Sequence, residues 1–242
     1  MPALTQSIRE IVAAQPSAAA VLQRFDIDLC ARADESLTQA CAELQLSAEQ
    51  VLEKLTDAAQ EQGAAPADLA NYTLSRLIQH IVRTHHQTVR RELPRMHEMA
   101  RQVAGKQSSR APQLKAIEKL IDALRADMLA HLEREEQVLF PFIAAMDQDA
   151  GASCSPPRAC FRTVAHPVAM MIREHALAEN LVAEIRDLTR GFDAPAWACP
   201  THVALYAGMR EFADDLRQHV RLENDLLFPR AIELESQLIC SA

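Results

Sequence analysis

The chain has 242 residues, 49% of them hydrophobic, and a formal net charge of −8. That length suits one large domain, or a medium domain with a small one, and the acidic balance excludes an electrostatic nucleic-acid binder or a polybasic membrane surface. Five glycines and 4% aromatics are too few for a β-rich fold; Ala, Leu, Glu, Gln and Arg dominate, the strong helix formers, so the chain reads as all-α.

Residues 1–62 read as a small N-terminal helical domain. SIREIVAAQ and SAAAVLQRF start two helices. SLTQACAEL and SAEQVLEKL start two more, each with a capping-box pattern, Ser36 with Gln39 and Ser47 with Gln50. Helices of about two turns bury little by themselves. The start, MPALTQSIREIVAAQ, has no basic stretch leading into an apolar core, so it is not a signal peptide, and no run approaches the ~18–20 apolar residues of a spanning helix. A cytoplasmic location is expected. Six cysteines, at 30, 41, 154, 160, 199 and 240, form no C-x-x-C pair and read as thiols, mostly small buried hydrophobes.

EQGAAPADLA, 61–70, is a linker broken by Gly63 and Pro66. Residues 70–242 then read as four long helices. The first spans about Thr73 to Val103 and ends near Gly105, with Pro94 expected to kink it or mark a boundary. The second runs from after Pro112 to about Met146. GASCSPPRACF is a loop. The third covers about Pro167 to Arg190 and closes at Gly191; the fourth covers about Thr201 to Gln237. Short connections between long helices predict an up-down-up-down four-helix bundle.

HLEREEQVLFP at 131–141 and HVRLENDLLFP at 219–229 share His, Glu, Leu, Phe and Pro at the same offsets, 88 residues apart. Each repeat unit would thus be a helix pair. In a helix, i and i+4 lie on one face, so His131 and Glu135 share a direction, as do His219 and Glu223. Leu124, Met128, Val138 and Phe142 belong to the same stripe on the second helix, and Phe212, Leu216, Leu226 and Leu227 on the fourth. The acids and imidazoles should therefore face the interior. Buried carboxylates facing each other are expensive unless cations lie between them, which points to metal. On the third helix His175, 44 residues before His219, shares a stripe with Met171, Ile172 and Val182. A matching step back from His131 lands on His85, His86 or Gln87, and periodicity does not separate the two histidines. Four histidines and two carboxylates make a di-metal site in which Glu135 and Glu223 bridge and positions stay open for water, an oxo group or a diatomic. Imidazole with carboxylate suits Fe, Mn or Zn. Asp127, a turn before His131, and Glu174, beside His175, are candidates to accept from metal-bound histidines. His80, His97, His166 and His202 read as surface or capping residues.

The segments HHQTVRRELP, HLEREEQVLFP, EH at 174–175 and HVRLENDLLFPR together resemble a known family. The four-helix part resembles hemerythrin-like domains, and the whole chain resembles the iron–sulfur cluster repair family, the di-iron proteins for repair of iron centres. The Leu93-Pro94 anchor of that pattern places the first-helix ligand at His86. The resemblance implies the ligand set His86, His131, Glu135, His175, His219 and Glu223, holding two non-haem Fe ions with an oxo or hydroxo bridge. It implies a role in nitrosative and oxidative stress, with damaged iron–sulfur proteins as partners. Iron donation is the leading reading. Binding or reduction of NO at the same centre, and an O2 or NO sensor signalling through the N-terminal domain, are alternatives, so an enzymatic activity is left open, as is a homodimer. The family carries adjacent cysteines followed by glycines in the N-terminal domain; here Cys30 is followed by Ala31, Arg32 and Ala33.

Overall fold

A computed structural model describes residues 3–15, 18, 21–22, 25, 27–29, 31–60, 69–149 and 163–240. Among these residues the secondary structure is helical, with one isolated bridge, Ser7 to Ser36, and no strand. No helix among them is long and apolar enough to cross a membrane. By compactness the chain divides into two units. One holds Met1–Ala65, Arg95–Lys119 and Arg186–Glu211; the other holds Pro66–Pro94, Leu120–Ile185 and Phe212–Ala242.

In the first unit, α1 is Ile8–Ala14, α2 is Leu37–Glu43 and α3 is Ala48–Gln60. Complete capping boxes start α1, at Ser7 with Glu10, and α2, at Ser36 with Gln39. The two helix starts are tied together: Ile8 N–H donates to Glu35 O at 2.9 Å and Leu37 N–H to Gln6 O at 3.0 Å. Ser47 Oγ accepts from Gln50 N–H at 3.3 Å at the head of α3. Ile8, Ile11, Leu22, Ile27, Leu37 and Leu55 are buried. Most of the expected SAAAVLQRF helix, the linker at 61–68, Cys30 and the loop at 151–161 lie outside the described residues.

Four rods follow. The first is Leu74–Ile81, a π-helical turn Val82–His86, and Gln87–Gln107; the second is Leu114–Arg134, a π-helical turn Glu135–Leu139, and Phe140–Asp149. The third is Ala165–Leu188, α-helical throughout, and the fourth is Pro200–Arg221, a π-helical turn Leu222–Leu227, and Phe228–Cys240. Thr73 caps the first rod by accepting from Arg76 N–H. Pro94 neither ends nor bounds its helix, which runs through it to Gln107; Leu93 and Met96, both fully buried, anchor the chain on either side. The third rod ends at Leu188, two residues before the expected Arg190. Arg190, not Gly191, takes the first left-handed conformation (φ 55°), and Gly191 N–H reaches back to Arg186 O at 2.8 Å, the wrap that satisfies last-turn carbonyls.

Within the second unit the rods run antiparallel in pairs. Ser75 N–H donates to Asp147 while His86, farther along, meets Glu136. Val164 N–H donates to Glu235 while His175 meets Asn224. Leu74, Ile78, Ile81, Leu139, Phe140, Ile143, Met146, Val168, Met171, Leu227 and Phe228 form the core of this unit.

Candidate metal centre

Three of the four rods change pitch where they carry their acids and imidazoles. A π-helical turn inserts one residue and rotates everything after it by about 100°. In the first rod the interior stripe passes from Ile81 to His86 rather than stopping at His85. In the second, Glu135 opens the turn and the stripe resumes at Leu139, Phe140 and Ile143. Val138, expected on the buried stripe, is 43% exposed for this reason, and Phe142 and Leu226 are only half-buried while Leu227 and Phe228 are inside. Pro141 and Pro229 each follow a π-helical turn by two residues, where a residue without an N–H disturbs a ladder already out of α register. The shared Leu-Phe-Pro tail thus has a packing role: Phe140 stacks on His86 (centroids 5.5 Å, 21°) and Phe228 on His175 (6.1 Å, 7°).

His86, His131, Glu135, His175, His219 and Glu223 are all buried, none exposing more than 1% of its surface. Two groups of potential ligand atoms each lie within 4.8 Å of one another: His86, Glu135, His219 and Glu223, and His131, Glu135, His175 and Glu223. Both glutamates belong to both groups. Glu135 Oε2 is 3.4 Å from His86 Nε2 and 3.3 Å from His131 Nε2. Glu223 Oε1 is 3.0 Å from His219 Nε2 and 3.6 Å from His86 Nε2, while its Oε2 is 3.0 Å from His175 Nε2. His131 Nε2 and His175 Nε2 are 3.0 Å apart.

Each imidazole turns Nε2 inward, and three have an acceptor at Nδ1. His86 meets Glu136 Oε1 at 2.7 Å, His131 meets Glu174 Oε2 at 2.8 Å, and His175 meets Asn224 Oδ1 at 2.9 Å. Arg90 and Arg134 brace the two acids from outside, at 2.6 and 2.7 Å. Of the two acids expected near the ligands, Glu174 stands at His131, but Asp127 is exposed. Four residues subtend about 400°, so Asp127 sits about 40° round the helix from His131, while the His131 ring faces the third rod. Glu136 and Asn224 were not anticipated. Their signal was in the sequence, as each directly follows a shared glutamate in the two 88-residue copies. His85 stays outside both groups; its Nδ1 lies 2.8 Å from Asp215 Oδ1.

With all four imidazoles neutral, the pocket would bury the carboxyl groups of Glu135 and Glu223 with no cation between them. Burial opposes ionisation of Glu223, but His219, His175 and His86 hold it well below the usual carboxylate range. Burial likewise opposes charge on His131, yet Glu135 and Glu174 raise its imidazole to about 9, and Glu223 raises His219. Glu136 and Glu174 are lowered against burial by Arg90 with His86 and by Arg134 with His131. The pocket therefore demands cations, either protons on its imidazoles or metal ions between them. The residues fit metal: His86 Nε2 and both oxygens of Glu135 are buried without a hydrogen-bond partner. Such atoms need another partner, and six nitrogen and oxygen donors supply the ligands that a first-row divalent ion takes.

His202 departs from its expected surface position. It is buried, its Nδ1 meets Gln107 Oε1 at 2.8 Å, and its ring packs edge-on to Trp197 and Tyr206. Burial drives its imidazole down to about 4. Of the described cysteines, Cys41 is buried and its thiol is raised by burial, as suits a small hydrophobe.

Comparison with known proteins agrees with this geometry. The model of the hemerythrin HHE cation binding domain matches residues 77–231, and a domain of unknown function (DUF542) matches residues 4–71. The chain is 30% identical over 227 residues to the iron-sulfur cluster repair protein YtfE of Enterobacter sp. (strain 638), covering 94% of this chain and 96% of that one. Proteins of the same name from Citrobacter koseri and Escherichia coli match to the same extent. The chain thus carries a metal site of the hemerythrin type, and it belongs to the family of hemerythrin-domain iron–sulfur cluster repair proteins.

Proposed function

We propose that the six buried groups hold two iron ions and that the protein supplies iron to damaged iron–sulfur clusters. His131 and His175 serve one ion, His86 and His219 the other, and Glu135 and Glu223 bridge. The observation that carries this reading is the sharing of both carboxylates between two four-donor groups. The relatives' name, iron-sulfur cluster repair protein, supplies the target class.

The chemistry of the donors favours delivery over permanent storage. All six are nitrogen or oxygen donors with no thiolate among them, so each imidazole can exchange its metal for a proton. The residues also have somewhere to go when iron leaves. His219 Nε2 sits 3.0 Å from Glu223 Oε1 and His175 Nε2 3.0 Å from Glu223 Oε2, so imidazole and carboxylate can neutralise one another without the pocket opening. Phe140 and Phe228 keep water from the ring faces of His86 and His175.

The test is reactivation of a dehydratase with a damaged [4Fe–4S] cluster, incubated anaerobically with the iron-loaded protein. Recovery with the parent protein, and none with an iron-depleted His131→Ala variant, is expected. Equal recovery with both would defeat the proposal. Anaerobic consumption of NO with turnover, in the absence of cluster recovery, would shift the function to NO chemistry at the same residues.

A further inference from the structure

The two ends of the pocket are not furnished alike. Glu136 and Asn224 stand 88 residues apart and do the same job, accepting at the Nδ1 of His86 and of His175. Glu174, next to His175, accepts at His131 Nδ1. The residue in the matching place on the first rod, next to His86, is His85. It offers no acceptor to His219. Its ring lies flat against that of His219, centroids 5.6 Å apart and 2° from parallel, and its Nδ1 is taken by Asp215 Oδ1 at 2.8 Å. His219 Nδ1 is left buried with no hydrogen-bond partner.

A histidine that binds metal through Nε2 must carry its proton on Nδ1, and an acceptor there orients the ring and strengthens the ligand. At His219 that proton would be buried and unsatisfied, which disfavours the metal-binding tautomer. The opposite tautomer carries the proton on Nε2, where Glu223 Oε1 accepts it at 3.0 Å. His219 alone among the four ligands therefore has an unaided metal-bound form and a well-made hydrogen-bonded alternative.

We infer that the ion held by His86 and His219 is the exchangeable one of the pair, and that His85 makes it so by filling with an aromatic ring the place where His131 has a carboxylate. His85 is a positioning residue in this role. The inference rests on the di-iron reading and names which half of the site delivers.

The first measurement is ferrous iron bound per chain under anaerobic conditions. Fewer than two ions overturns the di-iron reading, and this inference with it, before any release is followed. With two ions bound, a ferrous chelator added in a stopped-flow instrument should extract them in two phases of one ion each, separated by about tenfold or more in rate. Glu174→Ala should speed the slow phase and leave the fast one in place. His85→Glu should slow the fast phase by about tenfold. In the cobalt-loaded protein, the shifted imidazole N–H resonances should number three slowly exchanging and one rapidly exchanging, and His85→Glu should protect the fourth. Both ions leaving in a single phase, or Glu174→Ala accelerating the fast phase, overturns the inference even if His85→Glu does not fold.

Discussion

An imidazole buried beside carboxylates and one buried among rings face opposite consequences, and this chain contains both. His131 and His219 lie against Glu135 and Glu223; replacing either by Ala removes a donor from one four-ligand group. Metal bound per chain, read by elemental analysis, should fall to half or less in each variant, and His97→Ala, remote from both groups, should leave it unchanged. His202 is the opposite case. Its ring touches Trp197, Tyr206 and Gln107, with no carboxylate in those contacts, and its imidazole is lowered to about 4 by burial. The unfolded chain, with an ordinary histidine near 6.5, then binds the extra proton more readily than the folded one. Stability falls as pH drops from about 6.5 to about 4 and levels off below, for a total of about 3 kcal/mol. Urea midpoints at pH 7 and pH 4.5 should differ less for His202→Gln than for the parent, because the variant has nothing there to protonate.

At the scale of the element, the π-helical turns are the devices that make a bundle into a cage. An uninterrupted α-helix through 131–143 would bury position 138 and turn 139 and 140 partly away; the observed rod does the reverse, with Val138 43% exposed and Leu139 and Phe140 at 2% and 3%. Removing one residue from that turn, by deleting Val138, should return the rod to α register. Helix content by circular dichroism should hardly change. Metal binding should be retained, since in α register the shortened rod places Leu139 and Ile143 seven and eleven residues after His131, still within about 20° of its stripe. Loss of metal in this variant would show that the widened turn itself, and not only the facing of the stripe on either side of it, shapes the site. Phe140→Ala tests the neighbouring contact on His86; a buried Phe truncated to Ala costs about 3–5 kcal/mol, and the thermal midpoint should drop accordingly.

For the molecule as a whole, metal and fold should be linked without being inseparable. Ions that bind only the folded chain stabilise it by mass action, by about 4 kcal/mol per site at a free concentration a thousand times Kd. Scanning calorimetry with iron and with a chelator should show a higher midpoint in iron. The chelated protein should still unfold cooperatively, because the apolar set around Leu77, Ile81, Ile143 and Phe228 is buried independently of the ligands and the imidazoles can pair with Glu135 and Glu223. A chelated protein with no unfolding transition would mean that metal, not this core, holds the unit together.

The sequence by itself determined the class and the constellation. Composition excluded strands, the two 88-residue copies marked helix pairs, and the i, i+4 spacing of His131 with Glu135 and His219 with Glu223 put acids on interior stripes, where only cations could make them tolerable. These are local properties, readable from period and chemistry. What only the tertiary structure decided lies at changes of pitch and across rods. Periodicity could not separate His85 from His86, because the widened turn at Val82–His86 shifts the stripe by a residue. Glu136 and Asn224 act on histidines of other rods, and Asp127, on the right side of its own helix by spacing, is turned about 40° away. His202 reads as a surface residue although the rings beside it, Trp197 and Tyr206, are within five residues of it; the partner that period could not supply is Gln107 of the first rod. A period specifies which way a side chain leaves its own helix; what it meets there is settled by the helices packed against it.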